Sequence, residues 1–198
     1  MPRKPPPARK GIRPLYDELG AQAYYEQHGA AYRNPHEAIV ARAIQSAVTR
    51  WKLDTTRVLD LACGSGEATL ALAAAGVQSV VGVDPYTWQA YEARTGRAAL
   101  RHTFEDIALG ALAEQRFSLV VCSFALHLLA DSWLPPLCHQ LAVIAPALLI
   151  ITPHKRPALA EAWGWRLHAE DIAERVRARL YLRISGSEQG AAAAHFPA

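Results

Sequence analysis

The sequence predicts an α/β fold, doubly wound, on a mostly parallel sheet that ends in one antiparallel terminal strand and carries helices on both faces. Three observations predict it. Short apolar runs near residues 57–61, 79–83, 99–103, 117–122 and 147–152 alternate with helical stretches, and that alternation forces a parallel sheet. The first run passes directly into a glycine turn that opens a helix. The last regular segment, Val176 to Ile184, alternates apolar and polar residues with period two, as an antiparallel strand with one face on the core does.

Taken in order, Tyr16 to Gln27 and His36 to Trp51 read as two N-terminal helices. The second follows Asn34-Pro35, with Asn as cap and Pro in the first turn, and its Ile39, Val40, Ala43, Ile44 and Val48 recur at helical spacing. Strand 57–61 leads through Cys63-Gly64-Ser65-Gly66 into a helix over Glu67–Ala75 that stops at Gly76. The next strand, Ser79 to Val83, ends on Asp84. Pro135-Pro136 opens the helix that holds Leu137, Leu141 and Val143-Ile144, and after Pro157 a short helix leads to Gly164. In the terminal strand Arg177, Arg179 and Arg183 share one face. They read most simply as a solvated, aggregation-resistant edge, with a phosphate-binding face as the sharper alternative.

At 198 residues the chain fits one domain, long enough to bury about 70% of its unfolded surface. The organisation expected is a basic, proline-rich tail over 1–14, a single domain over 15–185 with a helical lead-in, and a low-complexity tail over 186–198. Hydrophobic residues make up 51% and charged residues 20%, so the middle of the chain is globular in composition. The longest late apolar run, Leu141 to Ile151, is too short to span a membrane, and no partner membrane is expected. The start has basic residues without an apolar stretch, unlike a secretory signal, and the expected location is cytoplasmic. The three cysteines have no paired spacing and suit small buried positions. Eight histidines form no metal-ligand pattern, so no metal is expected. A net charge of +3 and the basic tail raise an acidic partner such as RNA against the plainer reading of a solubilising tail.

Strand, glycine turn, helix, strand and acid make one βαβ unit, the layout of a nucleoside-cofactor site. Asp84 lies 18 residues beyond Gly66, where an acid reaches ribose hydroxyls. Two details separate the cofactors. The turn reads Gly64-x-Gly66-x-x-Thr69, without the third glycine of a dinucleotide loop, and Asp60 places a carboxylate where a pyrophosphate would be repelled. S-adenosylmethionine carries an ammonium that Asp60 can pair, and a carboxylate that the helix N-terminus near Gly66 favours.

On these residues the chain resembles the class I S-adenosylmethionine-dependent methyltransferases, whose first motif is acid-x-x-x-Gly-x-Gly and whose second strand ends in an acid. The resemblance continues through Phe104-Glu105-Asp106-Ile107 and through Phe117 to Leu129, and covers roughly residues 55 to 155. It implies a seven-stranded sheet and S-adenosylmethionine as cofactor. It also implies a cofactor site made of Asp60, Ala62, Gly64 and Gly66, with Asp84 on the ribose, Pro85 on the adenine face, Asp106 and Ile107 at the adenine edge, and Ser123 after the fourth strand. His127 and His154 are candidates to accept a proton from the acceptor, against holding their own loops by hydrogen bonds. Tyr32 is a candidate lid over the cofactor, against a core role. The chain departs from the family at Ala145-Pro146-Ala147, where many members carry Gly-Gly, and it lacks an Asn-Pro-Pro-Tyr motif, which argues against amino methylation of nucleic-acid bases.

The function expected is methyl transfer to a small nucleophilic acceptor. The alternatives are an RNA or protein methyltransferase using the basic surface, and a S-adenosylmethionine-binding module without catalysis. A nicotinamide-dependent oxidoreductase is disfavoured by the turn. The oligomeric state is not written in the sequence.

Overall fold

In the computed structural model, which describes Tyr25 and residues 27–184, one seven-stranded sheet has the order β3-β2-β1-β4-β5-β7-β6. Strands β1 (Val58–Leu61), β2 (Val80–Val83), β3 (Ala99–Leu100), β4 (Leu119–Ser123) and β5 (Ala147–Thr152) pair in parallel. Strands β6 (Trp165–Ala173) and β7 (Val176–Arg183) form a hairpin whose second strand inserts beside β5 and pairs antiparallel to both neighbours. The first expected helix and both expected tails lie almost wholly outside the described residues.

Helices α1 (Glu37–Arg50) and α2 (Glu67–Ala74) cover one face of the sheet, and α4 (Phe104–Ala108) and α5 (Leu134–Ile144) the other; α3 (Trp88–Thr95) follows β2. Period two sorts the strands between the faces. Val58, Leu119, Val121, Leu149 and Ile151 pack with Val40 and Ile44 of α1 and Leu72 of α2. Leu59, Leu61, Val120, Cys122, Leu148 and Ile150 pack with Ile107, Leu137 and Leu141. Both faces are buried, so these strands read as unbroken apolar runs and not as alternations. All three cysteines are free and buried.

The arginine strand is a correction. β7 is the last strand in sequence but an interior strand in the sheet, because β6, which begins at Trp165, takes the edge. Trp165 is fully buried and donates its indole N–H to the Cys138 carbonyl, which fixes the start of β6 on α5. Arg179 is consequently 7% exposed. It bonds Glu170 at 2.7 Å and the Pro157 carbonyl at 3.1 Å, and Arg177 also reaches Glu170. A two-residue turn with positive φ at Glu174 and Arg175 closes the hairpin.

Candidate active site

The strand ends fix where a ligand can lie: in an open parallel sheet the crevice forms beyond the carboxyl ends, where the strand order reverses. Here that point lies between β1 and β4, and a cavity of about 460 Å³ opens there. Its walls are the turn after β1, the turns after β2 and β3, the end of β4, and a strap formed by Tyr25, Tyr32 and Asn34.

Gly64 is held in the left-handed region, φ +57, which only glycine adopts cheaply, and its N–H donates to Asp84 Oδ2 at 3.2 Å. A Cβ at this position would meet Glu67 Oε2 at 3.2 Å and the Tyr32 ring at 3.3 Å, so the missing side chain shapes the cavity. Asp84, 8% exposed, lines the same cavity. Its Oδ1 accepts from the Tyr86 and Thr87 N–H groups, both at 2.9 Å, and ties down the turn after β2.

Glu67, the first residue of α2, is 4% exposed and lines the cavity. Its Oε1 accepts from the Asn34 N–H at 3.2 Å, from Arg94 at 3.1 Å and from the Ser65 hydroxyl. Arg94 also bonds Glu37 at 2.6 Å, so one guanidinium joins the first residues of α1 and α2. Asn34 turns its carbonyl oxygen to the His36 N–H at 2.8 Å, and its amide nitrogen is the donor left for the cavity.

The structure brings together Tyr32, Ala62, Gly64, Asp84, Pro85, Ile107 and Ser123 of the residues expected from sequence. Five others, Asp60, Gly66, Asp106, His127 and His154, are not part of the cavity lining. Asp60 shares the helix-facing side of β1 with Val58; its Oδ2 accepts from the Thr69 N–H at 3.0 Å and the Thr69 hydroxyl at 2.7 Å, capping α2, while its Oδ1 is buried with no partner. Burial pushes its pKa up to about 7. Of the two acids, Glu67 lines the cavity and Asp60 does not. Gly66 faces away as well: it caps α2 with φ +91, and a Cβ there would meet Thr95 at 2.5 Å. Asp106 is exposed and completes a capping box with Thr103, whose N–H holds its carboxyl below the usual range. Glu105 lines the cavity in its place.

His127 and His154 sit at the rim outside the lining, their ring centroids 4.3 Å apart. Partial desolvation by the protein around it, with the neighbouring ring adding to it, pushes the still exposed His127 down to about 4, so at neutral pH it is an uncharged imidazole. Sequence reasoning gave no site role to Tyr25, Asn34 or Glu67, and reached Phe104, Phe124 and Leu128 only as members of motif segments; all six line the cavity. Glu67 had a local signal, an acid at the first position of a helix after a glycine turn. Tyr25 and Asn34 reach the cavity through contacts between segments distant in sequence.

The lining holds three carboxylates, Glu67, Asp84 and Glu105, and neither lysine nor arginine. Cys63 is buried there with its thiol pushed well up by burial, which leaves it protonated. Carboxylates around a glycine cradle fit a cationic adenosyl ligand with a ribose, such as S-adenosylmethionine, and disfavour a pyrophosphate.

Comparison with known proteins bears on the family and the fold. The family described as "Methyltransferase domain" matches residues 58–145. Uncharacterized protein C17A5.05c of Schizosaccharomyces pombe is 31% identical over 188 residues, covering 74% of this chain and 76% of that one. The crystal structure of magnesium protoporphyrin IX methyltransferase from Synechocystis PCC 6803 with bound S-adenosylmethionine superposes with a TM-score of 0.59 at 16% identity, over 91% of this chain and 100% of that one. A TehB-like S-adenosylmethionine-dependent methyltransferase from Corynebacterium glutamicum gives 0.58 at 18% identity, over 86% and 100%. An O-methyltransferase family protein from Burkholderia thailandensis gives 0.59 at 17%, over 88% and 62%. At these identities the structural likeness is one of fold.

Proposed function

The chain belongs to the class I S-adenosylmethionine-dependent methyltransferases, and on that premise we propose that it methylates a small nucleophilic acceptor inside the cavity beyond β1 and β4. The observation that carries this reading is the lining: three carboxylates beside a glycine turn, enclosed by a strap that includes Tyr25, Tyr32 and Asn34, with no lysine or arginine to hold a phosphate backbone. S-adenosylmethionine, when bound, supplies a methyl group on a sulfonium whose positive charge is lost as the methyl moves.

The chain's own residues then bind, orient and exclude water. Glu67 receives the ammonium, and the Asn34 amide offers a donor to the neighbouring carboxylate. Asp84 receives the ribose hydroxyls. Pro85, Phe104 and Ile107 enclose the adenine, with Glu105 at its edge. Tyr32, beside Gly64, closes the cavity toward solvent. His127, an uncharged imidazole beside His154 and next to the lining residue Leu128, is the group that would take up a proton leaving the acceptor. The arginines of β7 give no support to an RNA acceptor, since Arg177 and Arg179 are both bonded to Glu170.

Glu67→Gln tests the assignment at its most specific point. Removing the charge weakens binding of S-adenosylhomocysteine by about tenfold or more, while 5′-methylthioadenosine, which lacks the amino-acid end, binds unchanged. Equal losses for both ligands in calorimetry would make Glu67 a support of the loop, and no loss for either would remove it from the site.

A further inference from the structure

We infer that the acceptor is an uncharged, planar aromatic molecule, a class set by the half of the cavity that the cofactor assignment leaves over. The inference rests on the reading of the chain as a small-acceptor methyltransferase. The three lining carboxylates sit on the turns after β1, β2 and β3. The remaining walls are the outer part of the strap and the end of β4, and their side chains there are Tyr25, Phe124, Leu128 and Leu129, with Ser123 as the polar member; Tyr32 and Asn34 stand between the two ends.

Four features of these walls point the same way. Tyr25 packs edge-on against Tyr32 at 5.3 Å between centroids and stacks with Tyr86 at 6.5 Å, so the tyrosines form one rigid aromatic wall. Phe124 is held at φ +55, a region costly for a bulky side chain, by its N–H bond to the Ile151 carbonyl, and its ring stacks with His36 at 5.2 Å. Strain kept at a cavity wall marks a position whose side-chain direction matters. Leu128 is 42% exposed although it lines the cavity, an apolar surface left for a ligand to cover. Away from Glu67, which meets the strap at the Asn34 N–H, these walls carry no lysine, arginine or carboxylate, so an acceptor with a formal charge there would lose its hydration without gaining a partner. An aromatic ring gains on every side.

The test uses the full-length protein saturated with S-adenosylhomocysteine and titrates three molecules with the same ring: 2-naphthol, 2-naphthoate and 2-naphthylmethylammonium. The expected result is 2-naphthol binding about tenfold or more tighter than either ion. In Phe124→Ala that affinity falls about tenfold while S-adenosylhomocysteine binds as in the parent. Leu128→Glu, at a half-exposed position that folding tolerates, reverses the preference toward the ammonium compound. An ion binding as tightly as 2-naphthol in the parent, no binding of 2-naphthol, or an unchanged preference in Leu128→Glu would overturn the inference. Failure of S-adenosylhomocysteine itself to bind would overturn the cofactor reading and this inference with it, and is recognised before any naphthyl compound is added.

Discussion

Asp60 is a carboxylate taken wholly out of water with no cation beside it; two hydrogen bonds from Thr69 are its compensation. Its cost depends on pH, and the sign follows from its pKa. Burial raises it from 3.8 to about 7, so between these values the unfolded chain releases the proton while the folded chain keeps it. Asp60 therefore lowers stability progressively as pH rises from about 4 to about 7, and adds no further change above that. Asp60→Asn keeps an acceptor for Thr69 and removes the titration. Its melting temperature relative to the parent rises between pH 5 and pH 8, by about 5 °C or more if the shift is worth a few kcal/mol. A difference independent of pH in paired melts would show that Asp60 is ionised in the folded protein throughout. The residue scale also shows what a motif conceals. The period of β1 places position 60 with Val58 on the helix-facing side, and Thr103-x-x-Asp106 has the spacing of a capping box; both are readable in the sequence. The family pattern names positions, and side-chain direction decides which of them face the ligand.

Among the elements, the strap is what turns an open crevice into a cavity. It is anchored at two points far apart in sequence. Asn34 bonds Glu67, and Gly29, buried, lies so close to the turn after β2 that a Cβ would meet the Tyr86 carbonyl carbon at 2.9 Å. Backbone cannot step aside as a flexible side chain does, so Gly29→Ala lifts the strap. S-adenosylhomocysteine affinity falls about tenfold while the melting temperature moves by no more than about 3 °C, because the sheet and its two helical layers are untouched. Unchanged affinity in calorimetry would show that the strap encloses the site without contributing to it. Strand positions were legible because parallel strands buried on both faces are continuous apolar runs. The place of β7 was not. Period two reports that two faces differ, and it says nothing of whether a further strand, here the mostly exposed β6 anchored by Trp165, lies beyond.

On the scale of the whole molecule, the sheet order puts every cofactor assignment on one end of the fold. Five parallel strands carry the turns at their carboxyl ends, and the β6–β7 hairpin extends the sheet on the side away from β3. Arg42 with Glu174 and Arg50 with Asp171 link α1 to that hairpin, though exposed pairs of this kind contribute little each. Among the described residues no helix is long and apolar enough to cross a membrane, and no cluster of ligating side chains suits a metal. The proposed chemistry lies in one cavity, with its three lining carboxylates on the turns after β1, β2 and β3. The measurement that tests this most directly is parallel calorimetric titration of the protein with S-adenosylmethionine, S-adenosylhomocysteine and NAD. The account predicts one site that takes both sulfur ligands and leaves NAD unbound. Binding of NAD in preference to the sulfur ligands, or of none of the three, would contradict it.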